Sequence, residues 1–377
     1  MHVVQISFFV DPLRRAPEQL LGAWHSLADI AIAARTSVTR VTVVQASMVE
    51  GICSREGVEF HFVAPVGAGA PLTRAPAFAA LLGRLRADIY HVHGLGFARE
   101  VLGLRKLAPR TPIFLQDHAD RPPRFWRRAL WRRAVALAAG VSFCARAQAD
   151  PFARARHLAP HIEVFEIPES TSRFTPGDRT EARAATGVHG EPALLWVGHL
   201  DDNKDPLTVL DGVALAARDV PRLQLWCCYG TAPLLERVRA RLADDPMLRD
   251  RVHLLGRVPH ERVQELMRAA DLFVLGSHRE GSSFSLIEAL ASGLTPLVTD
   301  IPSLRALTGD GQVGALWKCG DGQSLARAIR DIACRPAGEL RSQARAHFEA
   351  ELSSVAIGQR FAAAYTRLTG RDAVAVE

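Results

Sequence analysis

Two acidic residues, Glu280 and Glu288, stand eight positions apart where an apolar segment passes into a helical one. LFVLG (272–276) is typical of a strand buried on both faces, HREGSSF of a turn, and SLIEALAS of a short helix. Glu280 would then follow the carboxyl end of a strand, where open α/β sheets bind ligands. Glu288 would lie about one turn inside the helix, where a carboxylate can accept two hydrogen bonds from a vicinal diol such as a ribose.

The residues between the two acids offer donors for a phosphate. Gly281, Ser282, Ser283, Phe284 and Ser285 lead into the helix, so backbone N–H groups and small hydroxyls gather at its positive end. Such an end binds a diphosphate without a cage of lysines. The alternative interpretation is that both acids are only N-terminal charges favoured by the helix dipole.

A second loop carries a lysine, which stands out because arginine supplies nearly all of the 46 basic residues. ALLWVG (193–198) predicts a buried strand, HLDDNKDP a loop with His199 and Lys204, and the segment from Pro206 a helix. A cationic loop at the carboxyl end of a strand suits a phosphate. Alternatively, Lys204 is a solvated loop charge.

These strings resemble the donor site of the retaining, GT-B-fold glycosyltransferases of family 4, also called glycosyltransferase group 1. The resemblance rests on E-x7-E followed by ALASG and PLVTD, and on G-H-L-x-x-x-K where the family has G-R-L-x-x-x-K. It implies that Glu280 contacts the donor sugar, that Glu288 contacts the nucleotide ribose, and that Lys204 holds the diphosphate. His199 occupies the position of the family's arginine, and an imidazole carries less charge at pH 7 than a guanidinium.

Two further strings concern the same donor site. VHLLGRVPHE (252–261) resembles the family's loop that meets the nucleotide base, which implies mainly backbone contacts from Gly256, Arg257 and Val258. After the first acid the family usually has Gly-Phe-Gly, whereas this chain has two serines before Phe284. The sugar preference is therefore left open.

The amino-terminal half contains six candidate strands separated by helical or turn-rich stretches, the pattern of a doubly wound sheet. They are VVQISFF, RVTVVQA, VEFHFVA, DIYHVHG, PIFLQDH and GVSFC. DIYHVHG resembles a strand end of the family's acceptor domain, which implies that His91, His93 and Gly94 lie at the ligand-binding cleft. His118 matches the family's cleft histidine, whose expected role is to position the transferred sugar or to brace the acceptor. Metal binding by H-x-H is the competing interpretation, but one strand supplies too few ligands.

At 377 residues the chain exceeds the length over which one hydrophobic core keeps growing, so two domains are expected. We predict an α/β, GT-B-like fold of two Rossmann-like, doubly wound domains facing across a cleft. The acceptor-side domain would span residues 1–168, a linker 169–190, and the nucleotide-sugar domain 191–350. Residues 351–377 resemble the family's terminal helices and would cross back to the first domain.

The composition indicates a globular chain, with 48% hydrophobic and 23% charged residues. The start does not resemble a signal peptide and no apolar run approaches about 20 residues, so no membrane span is expected. The six cysteines lack the C-x2-C spacing of a metal site, which favours free thiols in a reducing cytoplasm. No D-x-D occurs, and we expect neither a metal nor a cofactor.

RPPRFWRRALWRRAVALAAG (121–140) interleaves arginines with aromatic residues. A helix lying on an anionic membrane through residues 124–133 would have this pattern, and so would a surface helix whose tryptophans enter the core. The second interpretation is slightly favoured because AVALAAG leads straight into a core strand. Nucleic acid is not an expected partner because no base-reading motif accompanies the charge.

The resemblance implies a retaining, metal-independent transfer of a sugar from a nucleoside-diphosphate sugar to a hydroxyl of a sugar or lipid-linked acceptor. We expect this reaction in glycan, cell-envelope or glycolipid biosynthesis, in the cytoplasm, with contact at the inner face of the membrane as an open question. The alternatives are a sugar-nucleotide isomerase or phosphorylase of the same fold, or a non-catalytic nucleotide-sugar-binding protein. A dehydrogenase is not expected, since GDGQVG (309–314) opens no helix.

Overall fold

The computed structural model describes residues 1–67 and 69–371. The chain divides into two compact units. The first unit contains residues 1–171 and the segment that begins at Ser354, and the second contains Ser172–Ser353. Each unit combines its own mostly or wholly parallel sheet with helices, so the expected α/β architecture is confirmed.

The strands of the first unit form one sheet. They are β1 (His2–Ser7), β2 (Arg40–Ala46), β3 (Gly51–Arg55), β4 (Val58–Val63), β5 (Ile89–His93), β6 (Ile113–Gln116), β7 (Gly140–Phe143) and β8 (Glu163–Glu166). In the described residues they pair in the order β3-β4-β2-β1-β5-β6-β7-β8, and only the β3–β4 pair is antiparallel. All six predicted strands are confirmed. The sequence does not predict β3 and β8, because these edge strands are polar and only partly buried.

Helices cover both faces of this first sheet. They are α1 (Pro17–Ala23), α2 (His25–Arg35), α3 (Pro76–Leu85), α4 (Ala98–Leu107), α5 (Arg128–Val135) and α6 (Asp150–Arg154). Because successive strand residues point to opposite faces, Val3 packs in one cluster with Leu20 of α1. Val4 packs in another cluster with Phe78 of α3 and Leu104 of α4. The central strands are therefore apolar on both faces, as expected for a parallel sheet.

The second unit has a smaller sheet that is parallel throughout. Its strands are β9 (Ala193–Gly198), β10 (Gln224–Tyr229), β11 (Val252–Gly256), β12 (Leu272–Leu275), β13 (Thr295–Thr299) and β14 (Ala315–Trp317). In the part of the chain that is described, they pair in the order β11-β10-β9-β12-β13-β14. Its helices are α7 (Arg179–Thr186), α8 (Pro206–Ala216), α9 (Leu235–Asp244), α10 (Pro246–Arg249), α11 (His260–Ala269), α12 (Phe284–Ala291), α13 (Pro302–Leu307), α14 (Gly322–Ala333) and α15 (Ala337–His347), followed by a π-helical turn at Phe348–Leu352.

Helix α7 lies in the stretch 169–190, where the sequence suggests a linker. Asp178 caps this helix by accepting a hydrogen bond from the Glu181 N–H at 2.8 Å. Arg183 of α7 forms an ion pair with Asp271 at 2.8 Å, next to the start of β12. The helix is therefore part of the second unit, and its few apolar residues explain why the sequence does not predict it.

The last described helix, α16 (Ser354–Thr369), belongs to the first unit. Ile357, Phe361 and Tyr365 recur at helical spacing and are fully buried in the cluster that contains α2. Arg367 forms an ion pair with Glu163 of β8. Residues 372–377 of the expected terminal segment lie outside the described residues. None of the helices formed by residues 1–67 and 69–371 has the length and apolar character needed to span a bilayer.

Gly358 sets how closely α16 approaches α2. A Cβ at this position would clash with the Ala33 carbonyl oxygen and with Thr36 Oγ1. Gly358→Ala should therefore force the two helices apart and lower the free energy of unfolding by about 1–3 kcal/mol, measured as a lower midpoint in urea or on heating. Gly338→Ala in α15 is the matched control, because its added Cβ meets nothing within 4 Å. Equal losses in the two variants would contradict this account of the packing.

Candidate functional site

The strand order of the second sheet reverses between β9 and β12, which are neighbours in space but not in sequence. Open α/β sheets bind ligands at such a reversal, outside the carboxyl ends of the strands. The loop after β9 (199–205) and the loop after β12 (276–283) both leave the sheet at this point. These two loops contain half of the residues that the sequence nominates for the donor, including Lys204 and Glu280.

Hydrogen bonds join the two loops directly. The His278 N–H donates to the Asn203 carbonyl at 2.8 Å, and Asn203 Nδ2 donates to the Arg279 carbonyl at 3.0 Å. Gly276 permits this approach, because a Cβ there would lie only 3.0 Å from the Lys204 carbonyl oxygen. The loops therefore form one braced element rather than two independent ones.

Lys204 and Glu280 meet in this element as an ion pair between Nζ and Oε1. Their side chains are 15% and 12% exposed, so the pair is largely withdrawn from water. Ser277 Oγ donates a second hydrogen bond to Glu280 Oε1 at 2.5 Å, and Ser303 Oγ donates to the Glu280 carbonyl at 3.1 Å. An ammonium has three donors, so Lys204 can hold Glu280 and a second oxygen at the same time.

The helix after the first acid begins as the sequence predicts. Ser283 is the N-cap of α12, and its side chain accepts no hydrogen bond from the helix N–H groups in the described structure. Ser282 and Ser283 are buried, Ser285 is half-buried, and Phe284 is 45% exposed. The first N–H groups of α12, next to the buried Gly281, are therefore available to an anion.

Glu288 lies on α12 and contacts a residue that the sequence does not nominate. Glu288 Oε1 and His260 Nε2 are 2.6 Å apart, and the two side chains are 17% and 42% exposed. His260 opens α11, and its ring also packs 4.8 Å from that of Phe174. His260 lies two residues after Val258 in the VHLLGRVPHE string, but only its tertiary contact with α12 could identify it as the partner of Glu288.

The remaining nominated residues lie apart from the Lys204–Glu280 pair. His199 is exposed, and its Nδ1 accepts a hydrogen bond from the Thr231 N–H at 3.1 Å. Gly256 ends β11 with φ of 70°, Arg257 is exposed and Val258 is half-buried. Within the described residues, no hydrogen bond or ion pair joins these four residues to Lys204 or Glu280.

The first sheet reverses its strand order between β1 and β5, and a cavity of about 450 Å³ lies at that point. One part of its lining is apolar, and the rings of Phe9 and Trp24 pack 5.4 Å apart there. The other part is polar and contains His93, His118 and Asp120. The cavity is also lined by Ser7, Ser26, Leu27, Gly94, Gly96 and Phe97.

A chain of hydrogen bonds in this cavity fixes the protons of two histidines. His93 Nε2 lies 3.2 Å from Gln5 Oε1, which only accepts, so His93 carries its proton on Nε2. His93 Nδ1 therefore accepts from His118 Nε2 at 3.1 Å. His118 Nδ1 forms an ion pair with Glu169. With the Gln5 amide oriented in this way, both ring nitrogens of His118 donate, and the side chain is then an imidazolium.

The pKa values agree with this assignment. Burial lowers the pKa of His118, but the charge and hydrogen bond of Glu169, together with the charges of Asp120 and Asp117, raise it by more, so it lies above the ordinary value. Burial lowers the pKa of His93 well below its ordinary value, and the charges of neighbouring His91 and His118 lower it further. Burial, together with the charges of Asp120 and Glu169, raises the pKa of Asp117 to about 7. The sequence does not nominate Glu169.

His91 does not belong to this cavity lining. Its Nδ1 is hydrogen-bonded to the Tyr365 hydroxyl at 2.8 Å and its Nε2 to Gln116 Oε1 at 3.1 Å, and burial lowers its pKa to about 3.

In residues 1–67 and 69–371, no group of three or more His, Cys, Asp or Glu side chains is arranged to hold a metal ion.

Residues 178–347 match the family model described as glycosyl transferases group 1. The chain is 25% identical over 288 residues to the GDP-mannose:cellobiosyl-diphosphopolyprenol alpha-mannosyltransferase of Xanthomonas campestris, covering 74% of this chain and 71% of that protein. It is 34% identical over 171 residues to the D-inositol 3-phosphate glycosyltransferase of Geodermatophilus obscurus, covering 43% of this chain and 38% of that protein. The second alignment thus spans less than half of either protein.

Solved structures match over almost the whole chain. Sucrose-phosphate synthase from Thermosynechococcus elongatus has a TM-score of 0.70 at 20% identity, covering 98% of this chain and 99% of that one. Anabaena HepE in complex with UDP has a TM-score of 0.71 at 18% identity, covering 97% and 100%. At these identities the similarity concerns the fold, and the predicted GT-B-like fold with two Rossmann-like domains is confirmed.

Removing the charge of Glu169 should change the titration of His118. In Glu169→Gln the side chain keeps its size, and the pKa of His118 should fall because the effect of burial is then opposed only by the charges of Asp120 and Asp117. An NMR titration of the ring protons measures this fall. The stability that this ion pair contributes is full below the ordinary histidine pKa and is lost as pH rises through the raised pKa of His118, so that loss should be absent from the variant.

Glu166→Gln is the matched control for this experiment. Glu166 lies three residues earlier, and its carboxylate accepts a hydrogen bond from the Arg146 N–H at 3.0 Å rather than from His118. The pKa of His118 should be unchanged in this variant. An unchanged pKa in Glu169→Gln as well would show that Glu169 does not hold the imidazolium.

Proposed function

This chain is a group 1 glycosyltransferase, and on that premise we propose that it transfers a sugar from a nucleoside-diphosphate sugar to a hydroxyl group, with retention of anomeric configuration and without a metal. The observation that carries the proposal is the pair of acids beyond β12. Glu280 is bound by Lys204 and Glu288 by His260. A carboxylate beside an ammonium suits a sugar diphosphate, and a carboxylate with a free oxygen suits a ribose.

We assign the nucleoside to α12 and to the end of β11. Glu288 Oε1 is taken by His260, whereas Glu288 Oε2 has no hydrogen-bond partner among the described residues and can accept from the ribose hydroxyls. The backbone at Gly256, Arg257 and Val258 would contact the base. This assignment is supported by the resemblance of the VHLLGRVPHE string to the base loop of the family.

The departing diphosphate develops negative charge that must be stabilised. Lys204 and the free N–H groups at Phe284 and Ser285 supply donors that are already in position before the reaction, which is the arrangement that lowers a barrier most. Ser282, Ser283 and Gly281 line the same turn, and His199 would add a further donor. The proposal of metal independence is supported by these groups and by the lack of D-x-D in the sequence.

We assign the acceptor to the cavity of the first unit. Phe9 and Trp24 offer apolar faces on which a sugar ring or a lipid-linked group can pack. His118 would position the transferred sugar or brace the acceptor through its positive charge. The name of the Xanthomonas relative specifies a diphosphopolyprenol-linked acceptor, which supports a lipid-linked or sugar acceptor in glycan, cell-envelope or glycolipid biosynthesis. The six free cysteines fit a reducing cytoplasm.

A screen followed by turnover assays tests the function. Thermal shifts with uridine, guanosine and adenosine diphosphates identify the base, because a ligand stabilises the folded protein by mass action. The matching nucleotide sugars are then incubated with and without an acceptor, and NMR of the anomeric proton reports retention. Conversion of the nucleotide sugar to an isomer without an acceptor would support an isomerase instead, and formation of a sugar phosphate from added inorganic phosphate would support a phosphorylase. Binding without turnover would support a non-catalytic protein, and loss of activity with EDTA would contradict metal independence.

The two acids should act on different parts of the donor. Glu288→Ala should weaken binding of the free nucleoside diphosphate and of the full donor alike, by about 1–3 kcal/mol, through loss of charge-assisted hydrogen bonds. Glu280→Gln should leave binding of the free nucleoside diphosphate unchanged or tighter, because Lys204 loses its competing partner, yet turnover should fall. Calorimetry with both ligands measures this. Glu261→Ala on α11 is the control. Equal losses of affinity in Glu288→Ala and Glu280→Gln for both ligands would refute this division of roles.

An arginine at position 199 should strengthen diphosphate binding. His199→Arg adds a permanent charge and several donors where the family has its arginine, and we expect a gain of about 1 kcal/mol that shrinks at high salt. Calorimetry at low and high ionic strength measures the gain. His161→Arg adds the same charge to an exposed position in the first unit and should have no effect. Unchanged affinity in His199→Arg would mean that position 199 does not reach the diphosphate.

A further inference from the structure

The segment 124–133 presents two different faces. Trp131 is 4% exposed, its Nε1 donates to the Leu95 carbonyl at 2.7 Å, and its ring stacks 5.6 Å from that of Phe152. Ala134 and Val135, also on α5, are buried beside it. The favoured interpretation of the sequence places both tryptophans in the core, and this is correct for Trp131 but not for Trp126, which is 58% exposed.

The other face carries large apolar side chains into solvent. Phe125 is 74% exposed, Trp126 58% and Leu130 38%, and every residue from 124 to 130 is exposed. Phe125 and Trp126 lie in a short 3-10 turn, and their rings pack edge to face at 4.9 Å. A contiguous exposed apolar surface of this kind marks an interaction site.

The charged residues along this segment are all positive. No acidic residue occurs between Asp120 and Asp150. Arg127, Arg128 and Arg133 are exposed and, among the described residues, form no ion pair or hydrogen bond through their side chains. The Arg124 guanidinium lies over the Trp126 ring at 5.4 Å from its centre. Three guanidinium groups are thus free to meet anions beside exposed aromatic rings.

We propose that residues 124–133 bind the surface of an anionic phospholipid bilayer. Phe125, Trp126 and Leu130 would enter the boundary between headgroups and acyl chains, and the free arginines would contact lipid phosphates. Nucleic acid or another soluble polyanion would satisfy the arginines but would leave the aromatic side chains in water. A bilayer satisfies both, because it offers negative charge and an apolar phase within a few ångströms.

The position of this surface relates membrane binding to the proposed acceptor site. Residues 117–127 leave the carboxyl end of β6, so they begin at the same edge of the sheet as His93 and the cavity. A membrane bound at 124–133 would therefore lie on the side of the first unit where a lipid-linked acceptor must arrive. Only this consequence depends on the proposed function, because membrane binding itself needs neither donor nor acceptor.

Vesicle flotation without any nucleotide tests the proposal. The wild type should float with vesicles of phosphatidylglycerol and phosphatidylcholine, more strongly at low salt than at high salt, and should float little with phosphatidylcholine alone. Replacing Arg127, Arg128, Arg132 and Arg133 with glutamine should weaken the binding about tenfold or more. The control replaces Arg218, Arg237, Arg327 and Arg335, four exposed arginines of the second unit, and removes the same charge.

Two outcomes of the flotation experiment would overturn the proposal. One is equal binding by the two quadruple variants, which would show that vesicle binding depends only on the net charge of the protein. The other is equal binding of the wild type to neutral and anionic vesicles, or no binding to either. Circular dichroism of each variant checks that the fold is retained, and turnover with a soluble acceptor, which should be unchanged, separates this test from that of the proposed function.

Tryptophan emission identifies the inserted side chain. Brominated lipids should quench the wild type, and Trp126→Phe should remove most of the quenching while it leaves flotation largely intact. The buried Trp131 is too far inside the core to respond. Quenching that persists in Trp126→Phe would show that another surface meets the membrane and would overturn the assignment to 124–133.

Discussion

Both candidate sites depend on the reversal of strand order in a parallel sheet. Where neighbouring strands are connected in opposite directions, the loops beyond their carboxyl ends diverge and leave a crevice. The first sheet reverses between β1 and β5, and the second between β9 and β12. The polar residues proposed to serve ligands lie in the loops at these crevices or, like His93 of β5, at the carboxyl end of a strand. Helices on the sheets immobilise these strands.

Sequence predicts most of this frame because buried parallel strands are short apolar runs with distinct ends. The loops after β9 and β12 could therefore be located, and with them Lys204, Glu280 and Glu288. Glu169 and His260 could not, because each gains its role from a partner that only the tertiary structure supplies. The edge strands β3 and β8 and the polar helix α7 were missed for a related reason, since tertiary pairing rather than apolar periodicity holds them in place.

For the segment 124–133, the sequence suggests two alternatives, a helix whose tryptophans enter the core or a helix that lies on a membrane, and the structure matches neither alone. Its two tryptophans are five residues apart, which on a helix of about 3.6 residues per turn separates them by about 140°. On one continuous helix they could not share a face, and in the structure only Trp131 lies on α5, while Trp126 lies in the 3-10 turn before it. Trp131 enters the core and Trp126 does not. Burying the first anchors the helix, and this is what holds the second at the surface.

Each unit places a buried carboxylate against a cation at its crevice, Glu280 with Lys204 and Glu169 with His118. Such pairs contribute little to stability, because removing both charges from water costs about as much as their attraction returns. Each pair instead keeps a cation charged and fixed, which the proposed function requires at both sites.

The two cations can act on a ligand in different ways. Lys204 donates to Glu280 and keeps further N–H groups for a phosphate oxygen. His118 has already donated both of its N–H groups, one to Glu169 and one to His93. It can therefore act through its charge, but it can donate a hydrogen bond to a sugar only if its contact with His93 opens. Under the proposed assignment, the acceptor side of the reaction would thus include a step that the donor side does not need.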